Sequence, residues 1–378
     1  MAPKNPFHYG TPVGGEQFVG REDEVGAVVG RIRDHVNVVL LSPRRYGKTS
    51  ILLRAERELA PLKPAIVHVN LFRSRDATGF AGALAAGAFR IPGGRWHRAR
   101  QAVPEFLRRL RLRPGVDFDD EGRPRFSFGP GLAGREVDSV VADVFDLLAE
   151  QSSRGPAALV LDEFQAVVDF DEGLPAVFKA MVDENPGVSF VVAGSKQHLM
   201  ERLFLERNAP LFNTAERIAL GPIPDEEMVG FLCRRAASAG TAMSEATARL
   251  VVETAGPVPD DIQHLAYESF EAAQGAEIGR DEVGAGLATA VGRLENLYGD
   301  VYGLLAAGQR RVLSQLAEEP TSSPSSGDFV RRTGLANASS VKKALDALVD
   351  AELVAVRGGL RQVADPFLAA WLHGVGEG

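Results

Sequence analysis

The sequence predicts an α/β fold with a mostly parallel sheet, followed by a helical segment and a small C-terminal module. The first observation is a set of short apolar runs that alternate with helical patterns, at residues 36–41, 65–70, 157–161, 188–193 and 217–220. Such strands, separated by helices, are typical of a parallel sheet covered on both faces. The second observation is a helical segment at 225–298, broken once at 256–259. The third is a change of pattern after Tyr302.

The pattern after Tyr302 predicts a winged helix. Three helices and two short strands are expected, at residues 308–318, 328–333, 340–351, 353–356 and 360–363. Three helices followed by a small hairpin are typical of this module. A Ser- and Pro-rich loop at 320–327 separates the first two helices.

The predicted domains are a sheet-containing core, a helical lid and the winged helix, at 1–224, 225–298 and 299–378. Within the core, residues 72–135 depart from the strand–helix alternation and are expected to be an insertion. Seven arginines and one acid lie between Arg95 and Arg113, and a hairpin is expected at 116–128. The arginines form either a solvated helix face or a contact with nucleic acid or another partner.

The composition excludes several classes of function. The net charge of -8 means that any contact with nucleic acid must come from a local basic surface. Cys233 is the single cysteine, which excludes an intramolecular disulfide and a cysteine-rich metal site and fits a reducing, cytoplasmic setting. No stretch approaches about 18 apolar residues, so no membrane span is expected.

A phosphate-binding loop is predicted directly after the first strand. The segment Ser42-Pro43-Arg44-Arg45-Tyr46-Gly47-Lys48-Thr49 matches the pattern G-x-x-x-x-G-K-[ST], except that serine replaces the first glycine. Gly47 lets the backbone curl around phosphate oxygens, and the following helix presents its N-terminus to them. Lys48 is expected to reach the terminal phosphates of ATP, and Thr49 to bind Mg²⁺.

Polar residues at the ends of two further strands complete the predicted site. Asp162 and Glu163 end an apolar strand, where an unpaired buried charge is costly. Asp162 is expected to bind Mg²⁺, and Glu163 to orient or deprotonate the attacking water. Ser195 either contacts the γ-phosphate or the water or caps the next helix, and the two roles are compatible. The candidates for catalysis are Lys48, Asp162, Glu163 and Ser195.

Taken in order, these motifs resemble the archaeal-type ATPase family, which belongs to the STAND and AAA+ group of P-loop ATPases. The resemblance rests on Asn5-Pro6-Phe7, Phe18 to Glu22, Pro43 to Ser50, Leu161 to Gln165, Gly194-Ser195 and Asp365-Pro366-Phe367. It implies a P-loop NTPase core, a helical lid and a C-terminal winged helix. It further implies a molecular switch or remodelling ATPase that uses ATP and Mg²⁺.

The resemblance also extends the set of nucleotide-contact candidates. The segment around Arg21 resembles the family's adenine-side motif, and Gly256 to Pro259 resembles its Gly-x-Pro lid motif. The full set is Arg21, Ser42, Pro43, Arg44, Arg45, Tyr46, Gly47, Lys48, Thr49, Ser50 and Pro259. Ser42 departs from the family pattern, and no arginine near the lid motif can be assigned as an arginine finger.

The winged helix offers candidates for DNA contact: Lys342, Lys343, Arg357 and Arg361. The lysines begin the helix that contacts DNA in other winged helices, and the arginines flank the predicted wing tip. Between residues 327 and 363, six cations face four acids, a small excess for a DNA-binding surface. Contact with protein, or packing within the chain, is the alternative use of this module.

Three classes of function follow. The leading hypothesis is an ATP-hydrolysing switch or remodeller with DNA or protein as its partner, and the oligomeric state is left open. The second is a nucleotide-sensing regulator with little turnover, favoured by the absent lid arginine. The third, a small-molecule P-loop kinase, is disfavoured because no dedicated acceptor pocket is visible in the sequence.

Overall fold

A computed structural model describes residues 4–91, 107–108, 110–112, 114–118, 124–129 and 134–376. The chain divides into two compact units. One is Pro12–Gly221, and the other combines Met1–Thr11 with Pro222–Gly378. In the described residues, no helix combines the length and the apolarity needed to cross a membrane.

The unit Pro12–Gly221 contains the predicted sheet. Its helices are α1 Glu22–Arg33, α2 Lys48–Leu59, α3 Ala77–Phe89, α4 Arg135–Ser152, α5 Val167–Phe170, α6 Leu174–Glu184 and α7 Gln197–Phe204. Its strands are β1 Val38–Leu41, β2 Ala65–Asn70, β3 Gly115–Phe118, β4 Pro124–Ser127, β5 Ala157–Asp162, β6 Ser189–Gly194 and β7 Glu216–Ala219. All five predicted sheet strands form within one or two residues of their expected bounds.

The sheet is parallel, with strand order β2-β5-β6-β1-β7. This confirms the predicted fold class. The register aligns Asn70 with Asp162, Asp162 with Ala193, and Leu41 with Gly194. Because parallel strands all end at the same edge, the loop after β1 and the polar ends of β2, β5 and β6 lie along one edge of the sheet.

Both faces of the sheet are buried, which explains why its strands are continuous apolar runs. Alternate residues of β1 face opposite sides: Val39 and Leu41 pack with α3 and α4, whereas Val38 and Leu40 pack with α1 and α2. The predicted inner face of α4 is fully buried, at Val137, Val140, Val141, Val144 and Leu148. Side chains on two faces therefore hold the central strands in register.

The segment 72–135 differs from the predicted insertion. Helix α3 packs on the sheet as part of the core, with Phe80 and Leu84 fully buried. Its Gly87 lies so close to Val67 that an added methyl group would meet that side chain at 2.7 Å. Any insertion therefore begins after Phe89. The predicted hairpin forms as β3 and β4, while its turn and most of the arginine-rich stretch from Arg95 lie outside the described residues.

The second unit contains a helical region followed by a winged-helix module. Its helices are α8 Asp225–Ser238, α9 Glu245–Ala255, α10 Pro259–Ala273, α11 Arg280–Leu304, α12 Ala307–Glu318, α13 Gly327–Thr333, α14 Ala338–Asp350 and α15 Pro366–Gly376. Its strands are β8 Val354–Arg357 and β9 Leu360–Val363. The predicted boundary at 298/299 falls inside α11, so these two domains share a continuous helix.

The wing carries an additional pairing. Strands β8 and β9 form an antiparallel hairpin, and the backbone of Arg361 also exchanges two hydrogen bonds with Thr321. Residues from the Ser- and Pro-rich loop therefore extend the wing sheet. Helix α15, which the sequence analysis did not predict, buries Phe367 and Leu368 after the hairpin.

The N-terminal segment packs in the second unit rather than in the predicted core 1–224. The Asn5 amide donates to the Tyr267 carbonyl at 3.0 Å, and Arg235 Nη2 donates to the Pro6 carbonyl at 2.9 Å. Phe7 is buried with its ring edge-to-face to Phe270. These contacts join residues more than 220 positions apart, so sequence spacing alone could not predict them.

Candidate nucleotide site and winged-helix surface

The predicted phosphate loop connects β1 to α2. Two residues adopt the left-handed conformation, Arg45 with φ 65° and Gly47 with φ 92°, which bends the backbone sharply before α2 begins at Lys48. Gly47 has no side chain with which to cap the helix, so the first N–H groups of α2 point into the loop without a side-chain cap. A helix N-terminus of this kind, behind a curled loop, is a site for phosphate oxygens.

Lys48 is held inside the loop. Its side chain is 5% exposed, and its ammonium group donates to the carbonyl oxygens of Ser42 and Pro43 at 3.2 and 3.0 Å. The Ser42 hydroxyl, at 3.3 Å, is a further acceptor. These three acceptors are neutral. An anionic phosphate can replace them, because the Lys48 ammonium group forms a stronger hydrogen bond with a charged acceptor. Serine in place of the first glycine is thus accommodated with its side chain buried in the loop.

Asp162 forms the centre of an oxygen cluster at the end of β5. Thr49 Oγ1 donates to its carboxylate at 2.5 Å, and the Asn70 amide donates to the same oxygen at 3.2 Å. Burial of Asp162 raises its pKa above the usual range, and the hydrogen bond from Thr49 opposes that rise. A buried carboxylate beside a hydroxyl is the ligand chemistry that Mg²⁺ prefers.

The residues fit Mg²⁺ better than a metal held by many side chains. Among the described residues, no group of three or more His, Cys, Asp or Glu side chains could hold a metal ion. Magnesium needs only one or two protein carboxylates because substrate phosphates and water supply its remaining ligands. Thr49 and Asp162, the two predicted metal ligands, are hydrogen-bonded to each other.

Glu163 is fixed by its neighbours. Its backbone adopts the left-handed region with φ 58°, and its N–H donates to Asp162 Oδ1 at 3.0 Å. Its carboxylate accepts hydrogen bonds from Ser195 Oγ and Gln165 Nε2, both at 2.7 Å. A non-glycine residue with positive φ persists only where the surroundings determine it. The strand end therefore directs two adjacent carboxylates into different hydrogen-bonding environments.

Ser195 contacts Glu163 and does not cap the following helix. Helix α7 begins at Gln197, so the capping position belongs to Lys196. The hydroxyl of Ser195 instead donates to Glu163 and accepts from Gln165 at 3.3 Å. The structure thus gathers all four catalytic candidates, Lys48, Asp162, Glu163 and Ser195, at the ends of β1, β5 and β6.

Three residues of this site were not assigned a role from the sequence: Asn70, Gln165 and Gly194. Asn70 ends β2 and pairs in register with Asp162, a relation that only strand order reveals. Gln165 is buried and holds Glu163. A side chain at Gly194 would meet Met200 at 2.5 Å and Gln165 Oε1 at 2.8 Å, so glycine leaves the room that Gln165 occupies.

The remaining nucleotide-contact candidates have varied environments. Arg21 is buried, and its guanidinium donates to the Gly221 carbonyl at 2.5 Å and to Glu24 at 2.9 Å. Ser50 accepts from the Val13 N–H at 3.0 Å. Arg44 lies over the ring of Phe72, 5.7 Å from its centroid, and Tyr46 is buried. Arg21 and Ser50 thus make structural contacts, and their part in nucleotide binding stays a prediction.

Pro259 opens helix α10 in the second unit. It occupies the first helical position, where a proline costs no hydrogen bond. The preceding Gly256 has φ 68° and ψ -165°, a combination essentially restricted to glycine. The lid motif is therefore a conformationally fixed helix start, and a contact between Pro259 and nucleotide stays a prediction.

The four DNA candidates divide into two kinds. Lys342 and Lys343 are exposed in the first turns of α14. Arg357, by contrast, turns back from the wing and donates to the Ala364 carbonyl at 2.9 Å. Arg361 is half-buried, with its backbone paired to Thr321. Arg357 thus lies next to the turn of the wing with its guanidinium bonded within the module, and the DNA contact of all four residues stays a prediction.

Comparisons with known proteins agree with this architecture. A family model described as a probable winged helix domain matches residues 296–374. The Walker-type ATPase of Pyrococcus abyssi is similar over 97% of this chain and 99% of its own, at 17% identity and TM-score 0.65. No curated protein matches the sequence.

Two further solved structures come from Aeropyrum pernix. The ORC2 protein in its ADPNP–ADP complexes is 14% identical, with TM-score 0.57 and 96% of each chain covered. The ORC1 protein in complex with DNA is 16% identical, with TM-score 0.50, and the similarity covers 95% of this chain and 94% of that one. The chain therefore has the fold of the Walker-type ATPases with a C-terminal winged-helix domain, as its resemblance to the archaeal-type ATPase family implied.

Proposed function

We propose that the chain binds ATP and hydrolyses it in a Mg²⁺-dependent reaction, acting as a molecular switch or remodelling ATPase. The observation that carries this proposal is the convergence of Lys48, the Thr49–Asp162 pair and the Glu163–Ser195 pair at one edge of the sheet. Each side chain is one that phosphoryl transfer to water requires, and each has a separate task.

The loop residues bind the phosphates. The curled backbone from Arg45 to Gly47 and the start of α2 offer N–H groups, and Lys48 offers a positive charge that moves from carbonyl oxygens to phosphate oxygens. Thr49 and Asp162 are the residues that would hold Mg²⁺, and the ion would supply positive charge against the charge that develops on the phosphate groups. A cation bound there would favour the ionised form of Asp162 and so oppose the effect of its burial.

Glu163 is the proposed base or water-positioning group. Its carboxylate already accepts two hydrogen bonds, from Ser195 and Gln165, which fix its orientation without providing a charge partner. A carboxylate held in this way can accept a hydrogen bond from water and draw its proton during attack on phosphorus. Ser195 and Gln165 act as positioning residues for it.

The alternative function is a nucleotide sensor with little turnover. The sequence favours it, because it offers no assigned lid arginine. A sensor would retain Lys48-dependent nucleotide affinity but would release no phosphate at a steady rate.

Steady-state phosphate release distinguishes these functions. The full chain is assayed with ATP and Mg²⁺, with excess chelator, and with or without duplex DNA. We expect multiple turnovers that stop when the metal is chelated. Tight ATP binding with phosphate release no faster than that of Glu163→Gln in every condition would establish the sensor and refute the hydrolase.

For the partner of the winged helix, we propose DNA. The supporting observation is the pair of exposed lysines, Lys342 and Lys343, which face solvent in the first turns of α14. The similar ORC1 protein of Aeropyrum pernix forms a complex with DNA. Contact with a protein is the competing use, and it is consistent with the exposed Val356 and Leu360 on the wing.

A further inference from the structure

A cleft in the winged-helix module lies outside every site predicted from the sequence. It has a volume of about 430 Å³ and is bounded by the end of α11, by α12 and by the end of α13. Clefts of about 300–1,000 Å³ are typical of ligand sites. Three arginines line this one, Arg310, Arg311 and Arg332, against a single lining acid, Glu318.

The three arginines differ in how their charge is matched. Arg332 pairs with Glu319 and with Asp328, the latter at 3.2 Å. Arg310 instead lies over the ring of Tyr302, 5.8 Å from its centroid, and Arg311 donates to the Gly334 carbonyl at 3.0 Å. Within the part of the chain that the structure describes, neither of these two forms an ion pair. Two consecutive residues that line the cleft therefore carry charge that no acid of the described residues pairs with.

Hydroxyl groups add further donors. Tyr302 OH and Ser314 Oγ lie 3.0 Å apart on the wall of the cleft. Guanidinium groups with hydroxyls beside them form the donor set that proteins use for phosphate, because a guanidinium offers several N–H groups in one plane. The single lining carboxylate, Glu318, already accepts a hydrogen bond from Gln315 at 3.4 Å.

The cleft belongs to the same helical frame as the DNA candidates. Helix α12 packs against α14. Arg311 is bonded to Gly334, which ends α13 just before the turn into α14. The exposed Lys342 and Lys343 lie in the first turns of that next helix. Arg311, which would bind the phosphate, therefore also fixes the turn that precedes α14, the helix that carries Lys342 and Lys343.

We propose that the cleft at Arg310 and Arg311 binds a phosphate group of a nucleic-acid backbone. This inference rests on the proposed association with DNA and adds a contact that lies outside α14 and the wing. The two arginines supply charge and register without reading bases, which is the role of phosphate contacts in protein–DNA complexes. A free phosphate ion is the other source of the same chemistry, and the test separates the two.

The first measurement is duplex DNA affinity of the full chain over a salt series, with ADP saturating the phosphate loop. Each lost phosphate contact lowers the log–log salt slope by about 0.9. Because both arginines would hold the same phosphate, we expect Arg310→Gln with Arg311→Gln to lower the slope by about 0.9 and to weaken binding. Arg310→Lys with Arg311→Lys keeps both charges and should retain most of the slope.

Two single variants test whether the loss of one positive charge is enough to lower the salt slope, wherever that charge lies. Arg311→Gln is compared with Arg331→Gln, which removes an equal charge from α13 at a residue that does not line the cleft and pairs with Asp328. Both side chains are exposed, so both variants should fold, and thermal melting checks this. We expect the slope to fall for Arg311→Gln and to change little for Arg331→Gln.

The second measurement is calorimetric titration of the ADP-saturated protein with inorganic phosphate. Equal DNA slopes for wild type and the glutamine double variant would overturn the cleft proposal while the association with DNA stands. If wild type binds no DNA at low salt, the association itself fails. In that case, phosphate binding lost in the double variant would reassign the cleft to a free phosphate ligand, and its absence from wild type would exclude both sources.

Discussion

The charged side chains of the nucleotide site and those of the winged-helix surface differ in how completely the protein surrounds them. Lys48 and Asp162 are buried and have defined partners. Lys342 and Lys343 are exposed. Burial of a charge is costly, so an arrangement of buried charges at one sheet edge points to a ligand that offsets the cost. An exposed cation costs little and points to no particular ligand. The ligand of the nucleotide site can therefore be inferred from its geometry, whereas the ligand of the winged-helix surface must be identified by a binding measurement.

The largest effect is expected from Lys48→Ala. Its ammonium group donates to the Ser42 and Pro43 carbonyl oxygens, so its loss should remove a charge-assisted contact with phosphate while the fold persists. Hydrogen bonds to charged groups contribute about 1.5–3 kcal/mol. We therefore expect ATP affinity to fall by about 10- to 100-fold, with turnover abolished, in a nucleotide titration and a phosphate-release assay.

Lys179→Ala is the matched control, because Lys179 lies on α6 and pairs at the surface with Asp183. It should leave both measurements unchanged. Wild-type ATP affinity in Lys48→Ala would refute the assignment of the phosphate loop and would remove the contrast between the two regions.

The next-largest effect is expected for Glu163→Gln, which should lower the rate of ATP turnover and leave ATP affinity nearly unchanged. Glu163→Gln keeps the size of the side chain and its hydrogen bonds through one oxygen, but it cannot take a proton from water. We expect near-normal ATP affinity and turnover lowered by about 100-fold or more. Single-turnover kinetics with excess protein separates the chemical step from product release.

Wild-type turnover in Glu163→Gln would remove this residue from the reaction and leave Asp162 as the essential acid of the pair. Asp162→Asn is the companion variant, and it should lose Mg²⁺ dependence together with activity. A difference between the two variants would show that the adjacent carboxylates have separate tasks.

The nucleotide site could be predicted from the sequence to the extent that its signals are local. Lys48 and Thr49 lie within one loop, and Asp162 and Glu163 stand out because they end an apolar strand. Asn70 could not be assigned in this way, because it lies 92 positions from Asp162 and meets it only through the pairing of β2 with β5. Strand order is a property of the packed sheet and cannot be inferred from the spacing of residues in the sequence.

The second unit was harder to predict for the same physical reason. Its helices were expected from periodicity, but periodicity did not indicate that α11 runs through the expected boundary at 298/299 to Leu304. Arg357 was placed at a wing tip because it precedes two glycines, whereas its side chain reaches back to the Ala364 carbonyl. The cleft at Arg310 and Arg311 combines three helices, so no single segment of sequence indicates it.

A smaller effect should follow from Gly194→Ala at the end of β6. The added methyl group would meet Met200 at 2.5 Å and Gln165 Oε1 at 2.8 Å, so one of these side chains must move. Overpacking of this kind costs about 1–3 kcal/mol. For a unit of this size, we expect Tm to fall by about 2–4 °C for each kcal/mol. Turnover should fall as well, because Gln165 holds Glu163.

Gly26→Ala is its control. Gly26 lies within α1, and a methyl group there meets nothing within 4 Å. Alanine in a helix interior stabilises by about 0.5–1 kcal/mol relative to glycine, so Tm should rise slightly. An unchanged Tm and unchanged turnover in Gly194→Ala would mean that the packing around Gln165 tolerates the methyl group, and that Glu163 is positioned without it.

The smallest effect is expected at the exposed lysines, and it tests whether a surface without buried charges still has a defined function. Each phosphate contact contributes about 0.9 to the log–log salt slope of DNA binding. Replacing Lys342 and Lys343 with alanine should therefore lower the slope by about 1.8 and weaken binding modestly at low salt. The Debye length is about 8 Å at physiological salt, so this local pair can act despite the net charge of -8.

Arg357→Ala is the contrasting variant, since its guanidinium is bonded to the Ala364 carbonyl; it should lower the Tm while the slope stays near that of wild type. Duplex binding across a salt series, with ATP and with ADP, measures both variants. Equal slopes for wild type and the lysine double variant would assign this face of α14 to a protein contact, and a slope lowered only by Arg357→Ala would place the DNA on the wing instead.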